Sequence, residues 1–493
     1  MIVGATIPSP SVDWLSLSPS LALLAASAIC LLGAVLVPGV ARRPFSAAVA
    51  GTGFVTAGVL AAFVFDRSAE QKLIIAESMT RDRLAAVAQI VIAGAGALAV
   101  LVSWGDRRRD HVGEYYSLLA IAGAGMLFFV SAESLLTLFL GLEWFSIALY
   151  VLTALDTTRK ESLEAGLKYL IVGSFGSAIL LFGSALTYGA TGELGFNAIR
   201  EVTGADDPLF AAGLAMMLAG LAFKASAAPF HMWTPDVYQG APTAVTAFMS
   251  AATKAAALVV TLRLLVTAFP EQSEIWTVAV AVLAVASLVI GNLAALAQQD
   301  VKRLLAYSSV SHSGFMLIAV AANSPLGGRA LLYYLIPYGA MSIGAFAIVA
   351  ARERELGRSV TLTTLEGYGW ERPFHGAAMW VFMLGFAGFP LTGGMLGKFY
   401  VFSAAYEAGW WWLVVIGVIA TAVSIYYYLA VIRAMFMRPA SARADLVVTG
   451  GSPPADPALS IAVAAAVAVT VGSFFFVQPL IDLAKDAVGS LPF

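Results

Sequence analysis

The chain predicts an all-α polytopic membrane protein, and three features of its 493 residues carry that expectation. Sixty per cent of the residues are apolar, only 12 % are charged, and apolar runs of ~20 residues recur from end to end between short charged or Gly/Pro segments. A water-facing globular surface needs roughly twice that share of charge, which excludes the soluble classes. The net charge of -2 says little, because in such a chain the placement of charge matters more than its sum. Cys30 is the only cysteine, so an internal disulfide or a multi-cysteine cluster is excluded, and it reads as a small packing residue.

Taken in order, the apolar runs give fourteen spans: 20–38, 45–65, 84–104, 115–132, 135–155, 164–189, 208–238, 242–269, 275–297, 303–322, 328–351, 374–406, 409–435 and 457–482. No Lys or Arg precedes the first and no clear cleavage pattern follows it, so it is expected to be retained rather than removed as a signal peptide.

Orientation follows from the basic residues. Sixteen fall on one side: Arg42, Arg43, Arg107, Arg108, Arg109, Arg159, Lys160, Lys302, Arg303, Arg352, Arg354, Arg358, Arg372, Arg433, Arg438 and Arg443. Eight fall on the other: Arg67, Lys72, Arg81, Arg83, Arg200, Arg263, Arg329 and Lys485. The richer side is expected to be cytoplasmic, with both termini outside. Arg263 lies just inside a span end and is assigned to the nearer side by snorkelling.

The other four basic residues, Lys168, Lys224, Lys254 and Lys398, fall inside spans. A lysine at the centre of a spanning helix costs about 2.5–3.5 kcal/mol on insertion scales, so each is a functional candidate. Glu143 is the one acid at mid-depth, in the fifth span. Burial disfavours either charge alone and a nearby opposite charge restores both, so Glu143 and Lys224 make a natural pair. Glu133, ten residues earlier at a span end, is expected to reach water. His312 is the only histidine at mid-depth; it reads as a titratable relay or as a neutral core histidine bonded to backbone. Two lysines keep a bland alternative. Lys224 reaches the interface if its helix stops at Ala228, and Lys168 lies about one turn inside the sixth span. Lys254, twelve residues into a span that reads as uninterrupted, has no such outlet.

Two spans are too long and broken: the seventh by Pro229 and Pro235, the twelfth by Pro390, Gly393 and Gly394. Interrupted helices at matching places in two halves point to a transport path at their interface. Lys224 and Lys398 lie 174 residues apart, Glu143 and His312 169 apart. That offset suggests two five-helix copies, 113–270 (spans 4–8) and 271–440 (spans 9–13), the second inverted because five is odd. Residues 1–112 hold the first three spans and 441–493 the last.

The segments LLTLFLGLEWFSIALYVL, SLEAGLKYLIVGSFGSAILLFG, LAFKASAAPFHMWTPDVYQGAPTAVTAFMSAATKAA, NLAALAQQDVKRLLAYSSVSHSGFMLI and GFPLTGGMLGKFYVF resemble the antiporter-like membrane subunits of proton-pumping NADH:quinone oxidoreductase, respiratory complex I, and among them the subunit N family. The likeness covers spans 4–13, about two thirds of the chain. It implies a fourteen-helix fold with inverted five-helix repeats and a non-redox subunit of a proton-translocating enzyme, in a bacterial plasma membrane. In that family the fifth-helix glutamate pairs with the seventh-helix lysine, and an eighth-helix lysine leads to the twelfth-helix lysine; the matching residues here are Glu143, Lys224, Lys254 and Lys398. Lys168 matches the sixth-helix lysine of KYL. The GKF around Lys398 resembles subunit N rather than subunit M, and no long lateral helix of the subunit L kind follows the last span.

The resemblance implies no cofactor in this chain, with NADH, flavin, iron–sulfur clusters and quinone held by partner subunits. Implied partners are the other membrane and peripheral subunits of complex I, neighbouring antiporter-like subunits, lipid and protons, with no nucleic acid. Protons are expected to pass from the cytoplasm along Lys224, Lys254 and His312 and to leave beside Lys398. The alternatives are a subunit of a multi-subunit cation/proton antiporter or of a membrane-bound hydrogenase, and a non-transporting scaffold.

Overall fold

The computed structural model describes residues 12–106, 111–202, 208–438 and 456–493. The charges read at Arg107, Arg108, Arg109 and Arg443 lie outside them.

Twelve described helices are long and apolar enough to cross a membrane. The N-terminal group is α1 (Trp14–Leu36), α2 (Gly39–Asp66) and α3 (Arg83–Trp104), with a short hairpin of β1 (Lys72–Ile74) and β2 (Met79–Arg81) between the last two. Next come α4 (Val112–Phe129), α5 (Leu135–Thr153), α6 (Lys160–Thr191), a short α7 (Phe196–Val202), α8 (Pro208–Lys224) and α9 (Trp233–Gly240). The eighth span is composite: α10 (Thr243–Phe248), a π-helical turn at Met249–Thr253, and α11 (Lys254–Ala268). Then follow α12 (Ser273–Leu296), α13 (Val301–Ala321), α14 (Pro325–Leu356), a four-residue α15 (Tyr368–Glu371), α16 (Pro373–Ala387), α17 (Gly393–Glu407), α18 (Trp411–Met437), α19 (Pro457–Phe475) and α20 (Val477–Val488).

Side-chain caps fix many of the starts. Asp13 accepts from Ser16 N–H, so α1 begins six residues earlier than its apolar run. Asp82, Asp300, Ser324 and Asp456 cap α3, α13, α14 and α19, and Ser134 with Thr137 forms a capping box on α5. The fourteenth span is shorter than expected because α19 ends at Phe475 and α20 follows as a separate helix; Pro479 cannot continue the hydrogen-bond ladder.

Burial sorts the helices into an inner and an outer set. The span Thr243–Ala268 is buried along its whole length and α13 and α14 nearly so, whereas α1, α2, α6, α12 and α18 turn Leu, Val, Ile and Phe outward, as lipid-facing helices do. Small residues let the outer helices approach the inner ones: a Cβ on Gly291 of α12 would sit 2.7 Å from the amide nitrogen of Ser311 in α13. Arg81 bonds Asp13 at 2.8 Å and Arg83 lies 3.4 Å from Asp486, so the start of α1, the β-hairpin and α20 share one end of the molecule.

Both breaks exist, but not every residue assigned to them lies there. In the first, α8 stops at Lys224, Ser226 takes φ +60°, and the Ala228–Pro229 peptide is cis. The freed backbone groups find partners: the Phe223 carbonyl accepts from Trp233 Nε1 at 3.0 Å, and Ala228 N–H donates to Ser287 of α12 at 2.8 Å. Pro235 sits in the first turn of α9, where its missing N–H removes no helix bond. In the second, α16 ends at Ala387 and Gly388 (φ +85°), Pro390 and Leu391 (φ +67°) interrupt the chain. Gly393 and Gly394 open α17 and are small for packing, since a Cβ on either would lie 2.0 Å from Ser473 Oγ or the Gly385 carbonyl.

Candidate functional site

Helix geometry sends a side chain back toward its helix N-terminus, and at the end of α8 that direction buries Lys224 among aromatic rings. Its Nζ lies 5.1 Å from the ring centre of Phe145, 5.2 Å from Tyr169 and 5.6 Å from Tyr150. It has no hydrogen-bond partner among the described residues; cation–π contact is what the pocket offers. Glu143, on α5, is half-buried, and its Oε1 is likewise without a hydrogen bond. The two form no ion pair among the described residues, although Phe145 and Tyr150 of the same helix as Glu143 lie against the ammonium. The expected pair is thus open in this conformation.

Lys254 is 1 % exposed and held by hydrogen bonds. Its Nζ donates to the Ser309 carbonyl and to Ser313 Oγ, each at 2.5 Å. Ser313 Oγ in turn donates to the Ala225 carbonyl at 2.5 Å, the first residue of the break after Lys224. The π-helical turn ending at Thr253 precedes this lysine directly, so the span read as uninterrupted is not regular. Such turns often mark functional positions.

His312 is also buried. Nδ1 lies 2.8 Å from the Tyr334 hydroxyl and Nε2 3.0 Å from that of Tyr428, while the Tyr338 ring centre is 5.1 Å away. The expected alternative of a backbone-bonded core histidine is not what is found, since both ring nitrogens meet side-chain hydroxyls. Ser309 Oγ meets Tyr338 at 2.8 Å, which joins the surroundings of Lys254 and His312. Lys398 is buried in α17; Nζ lies 4.6 Å from the Phe315 ring centre and donates to the Ala387 carbonyl at 3.3 Å. That carbonyl is the last of α16, at the negative end of a half-helix, a favourable place for an ammonium.

Lys168 stands apart. Its side chain is 44 % exposed and pairs with Glu164 one turn back at 2.7 Å and with Asp236 at 3.0 Å. It lines a charged vestibule of about 560 Å³ with Asp236, Arg303 and Glu353. A carboxylate four residues away and another across the cleft hold it at the rim, so it belongs to a surface ion-pair network rather than to the buried series. Behind the vestibule Lys302, read as a loop residue, is buried: it donates to the Ala241 carbonyl at 2.8 Å and to Thr243 Oγ1 at 3.0 Å, with Glu353 at 3.7 Å.

Two more expectations change. Arg263 does not snorkel; it is fully buried and holds Asp82 through two bonds of 2.6 and 2.9 Å. Glu133 does not reach water; it is 1 % exposed and 3.5 Å from the same guanidinium. A span-end position fixes depth but not the side to which the chain folds back.

Sequence reasoning missed the hydroxyls. Ser309 and Ser313 meet Lys254, Tyr334 and Tyr428 meet His312, and Tyr338 bonds Ser309. Their signal was the spacing of four in Ser309/Ser313 and in Tyr334/Tyr338, which puts each pair on one helix face.

Residues 132–424 match the family described as NADH:quinone oxidoreductase/Mrp antiporter, transmembrane. The chain is 42 % identical to NADH-quinone oxidoreductase subunit N of Trichlorobacter lovleyi over 375 residues, 75 % of this chain and 77 % of the relative. It is 42 % identical to the subunit N of Salinibacter ruber over 395 residues, 78 % and 79 % of the two chains. It superposes on a chain of respiratory complex I from Thermus thermophilus with bound aureothin at TM-score 0.79 and 33 % identity, covering 95 % of this chain and 99 % of that one. A chain of the Mrp complex from a Dietzia species gives TM-score 0.83 at 23 % identity over 96 % and 98 % of the two, a likeness of fold alone.

Proposed function

This chain belongs to the NADH:quinone oxidoreductase/Mrp antiporter membrane family and, within it, to the subunit N family, and from that premise we propose that it is a proton-translocating membrane subunit of NADH:quinone oxidoreductase. The observation that carries the reading is the buried polar series between the two broken spans. It runs from the Ala225 carbonyl through Ser313 to Lys254, then by Ser309 and Tyr338 to the surroundings of His312. Such a series in a wholly buried core is costly unless it is used.

In this mechanism a proton is taken up near Lys224, passes to Lys254 and His312 through hydroxyls and water, and leaves beside Lys398. Glu143 acts as the electrostatic gate: when it closes on Lys224 the ammonium is held, and when it withdraws the proton moves on. A one-unit change in pKa is about 1.4 kcal/mol and a proton moved against 100 mV costs about 2.3 kcal/mol, so changes of a few units suffice. The broken spans belong to two inverted five-helix copies, 113–270 and 271–440. NADH, flavin, iron–sulfur clusters and quinone reside in partner subunits of the complex, and this chain contributes no redox centre. Against the antiporter alternative stands the higher identity to subunit N, 42 % against 23 % for the Mrp chain.

The test is NADH-driven proton uptake by inverted membrane vesicles, corrected for assembled complex. Lys254→Met, which keeps the bulk and removes the ammonium, is expected to cut uptake to a minor fraction of wild type. Unchanged uptake would sink the relay and favour a scaffold. Orientation has its own check, resting on the sixteen-to-eight bias in basic residues. A reporter active only in the cytoplasm should work when fused after Arg358 and be silent after Phe493; the opposite result would reverse uptake and release.

A further inference from the structure

The end of the molecule that carries the β-hairpin also holds a second buried charge cluster, apart from the lysine series. Three charged groups meet there: Asp82 at the start of α3, Glu133 between α4 and α5, and Arg263 of α11, each at most 1 % exposed. One guanidinium faces two carboxylates, and it is committed to one of them. Arg263 grips Asp82 through both Nη atoms, at 2.6 and 2.9 Å, while Glu133 is only within 3.5 Å of Nη1. Asp82 is fixed further by accepting from Ala85 N–H at 2.8 Å. The other polar side chain on Glu133 is Asn197 of α7, whose Nδ2 donates to Oε1 at 3.3 Å. The hairpin adds backbone only, the Ser78 carbonyl accepting from Glu133 N–H at 3.1 Å. A second buried carboxylate on one guanidinium is only partly compensated, and the usual resolution is to bind a proton.

We propose that Glu133 is a proton-binding site, a carboxyl that holds a proton inside the cluster and exchanges it with water on the side where the half-buried Asn197 lies. Burial, and secondarily the nearby charge of Asp82, push the Glu133 carboxyl up to about 7 despite the opposing pull of Arg263. Glu133 leads directly into α5, which carries Glu143, and Arg263 sits on α11, which begins at Lys254. A proton on or off Glu133 therefore changes the charge at the junction of the two helices that hold the gate and the relay.

The site itself does not depend on what the chain pumps, so its test uses infrared spectroscopy of the assembled complex rather than activity. Wild type is expected to show a protonated-carboxyl band that disappears with a midpoint near pH 7, and Glu133→Gln to lack it. Asp82→Asn frees Arg263 for Glu133 and removes a like charge, so the midpoint should move to lower pH. A second readout is thermal stability. A carboxyl raised in the folded state contributes stability below its ordinary value of 4.5 that is lost as pH rises to about 7; wild type should lose stability over that window and Glu133→Gln should not. An identical band in wild type and Glu133→Gln, or parallel stability profiles, would overturn the proposal. Should Asp82→Asn fail to assemble, the Glu133→Gln comparison decides alone.

Discussion

Glu143→Gln is expected to lower NADH-driven proton uptake about tenfold, the effect of one pKa unit of lost interaction with Lys224. Lys224 has aromatic neighbours and no hydrogen bond among the described residues, so the approach of the Glu143 carboxylate from α5 is expected to alter it. Glutamine keeps the shape and removes the charge. The control is an acid in the first turn of a helix end, Glu274→Gln, on the exposed side of α12, which should leave uptake unchanged. The comparison is made per assembled complex in inverted vesicles. Wild-type uptake in Glu143→Gln, or equal damage in both variants, would mean that the pair is structural.

Arg263→Met should have the largest effect on stability. Removing one partner of a buried ion pair costs about 3–5 kcal/mol, because the charge left behind has lost its compensation. Here Asp82 loses both of its guanidinium bonds and Glu133 loses the guanidinium 3.5 Å away. The variant should be scarce in membranes and melt early. Arg263→Met combined with Asp82→Asn removes both ends of the pair and should recover much of the loss, since the two sites share one interaction. A single variant as stable as wild type, or a double variant no better than the single, would exclude the cluster as a structural anchor. Lysine at this position should rescue only in part, because an ammonium cannot grip a carboxylate through two parallel bonds.

Much of this architecture is legible in the sequence because a bilayer reduces the problem to one dimension. Apolar length gives the spans, and Pro229 and Pro390 mark real breaks because a proline removes a bond that lipid cannot replace. Lys224, Lys254, His312 and Lys398 stand out as costs in an apolar run, and all four are buried. What sequence depth does not reveal is which side chain meets which across helices. Arg263 meets acids 181 and 130 residues away, and nothing local to it signals either. Lys168 has the depth of a buried residue and the surroundings of a surface one, because Asp236 arrives from the other side of the first break. The linking serines and tyrosines are common residues in spanning helices and carry no charge to betray them. The π-helical turn before Lys254 arises in MSAAT, a run with no proline or glycine to announce it.

The wholly buried span Thr243–Ala268 also bears on how the chain is made. It carries Lys254, which costs about 2.5–3.5 kcal/mol to insert at mid-helix, and Arg263 nearer its end, and it is less apolar than the lipid-facing α12 that follows. Both acids that hold Arg263 precede it in the chain. During synthesis, then, this span leaves the translocon last among its charge partners, with Asp82 and Glu133 already delivered to the bilayer. Arg263 thus meets acids that are already in place, so the order in which the helices emerge lets their carboxylates offset the cost of its charge.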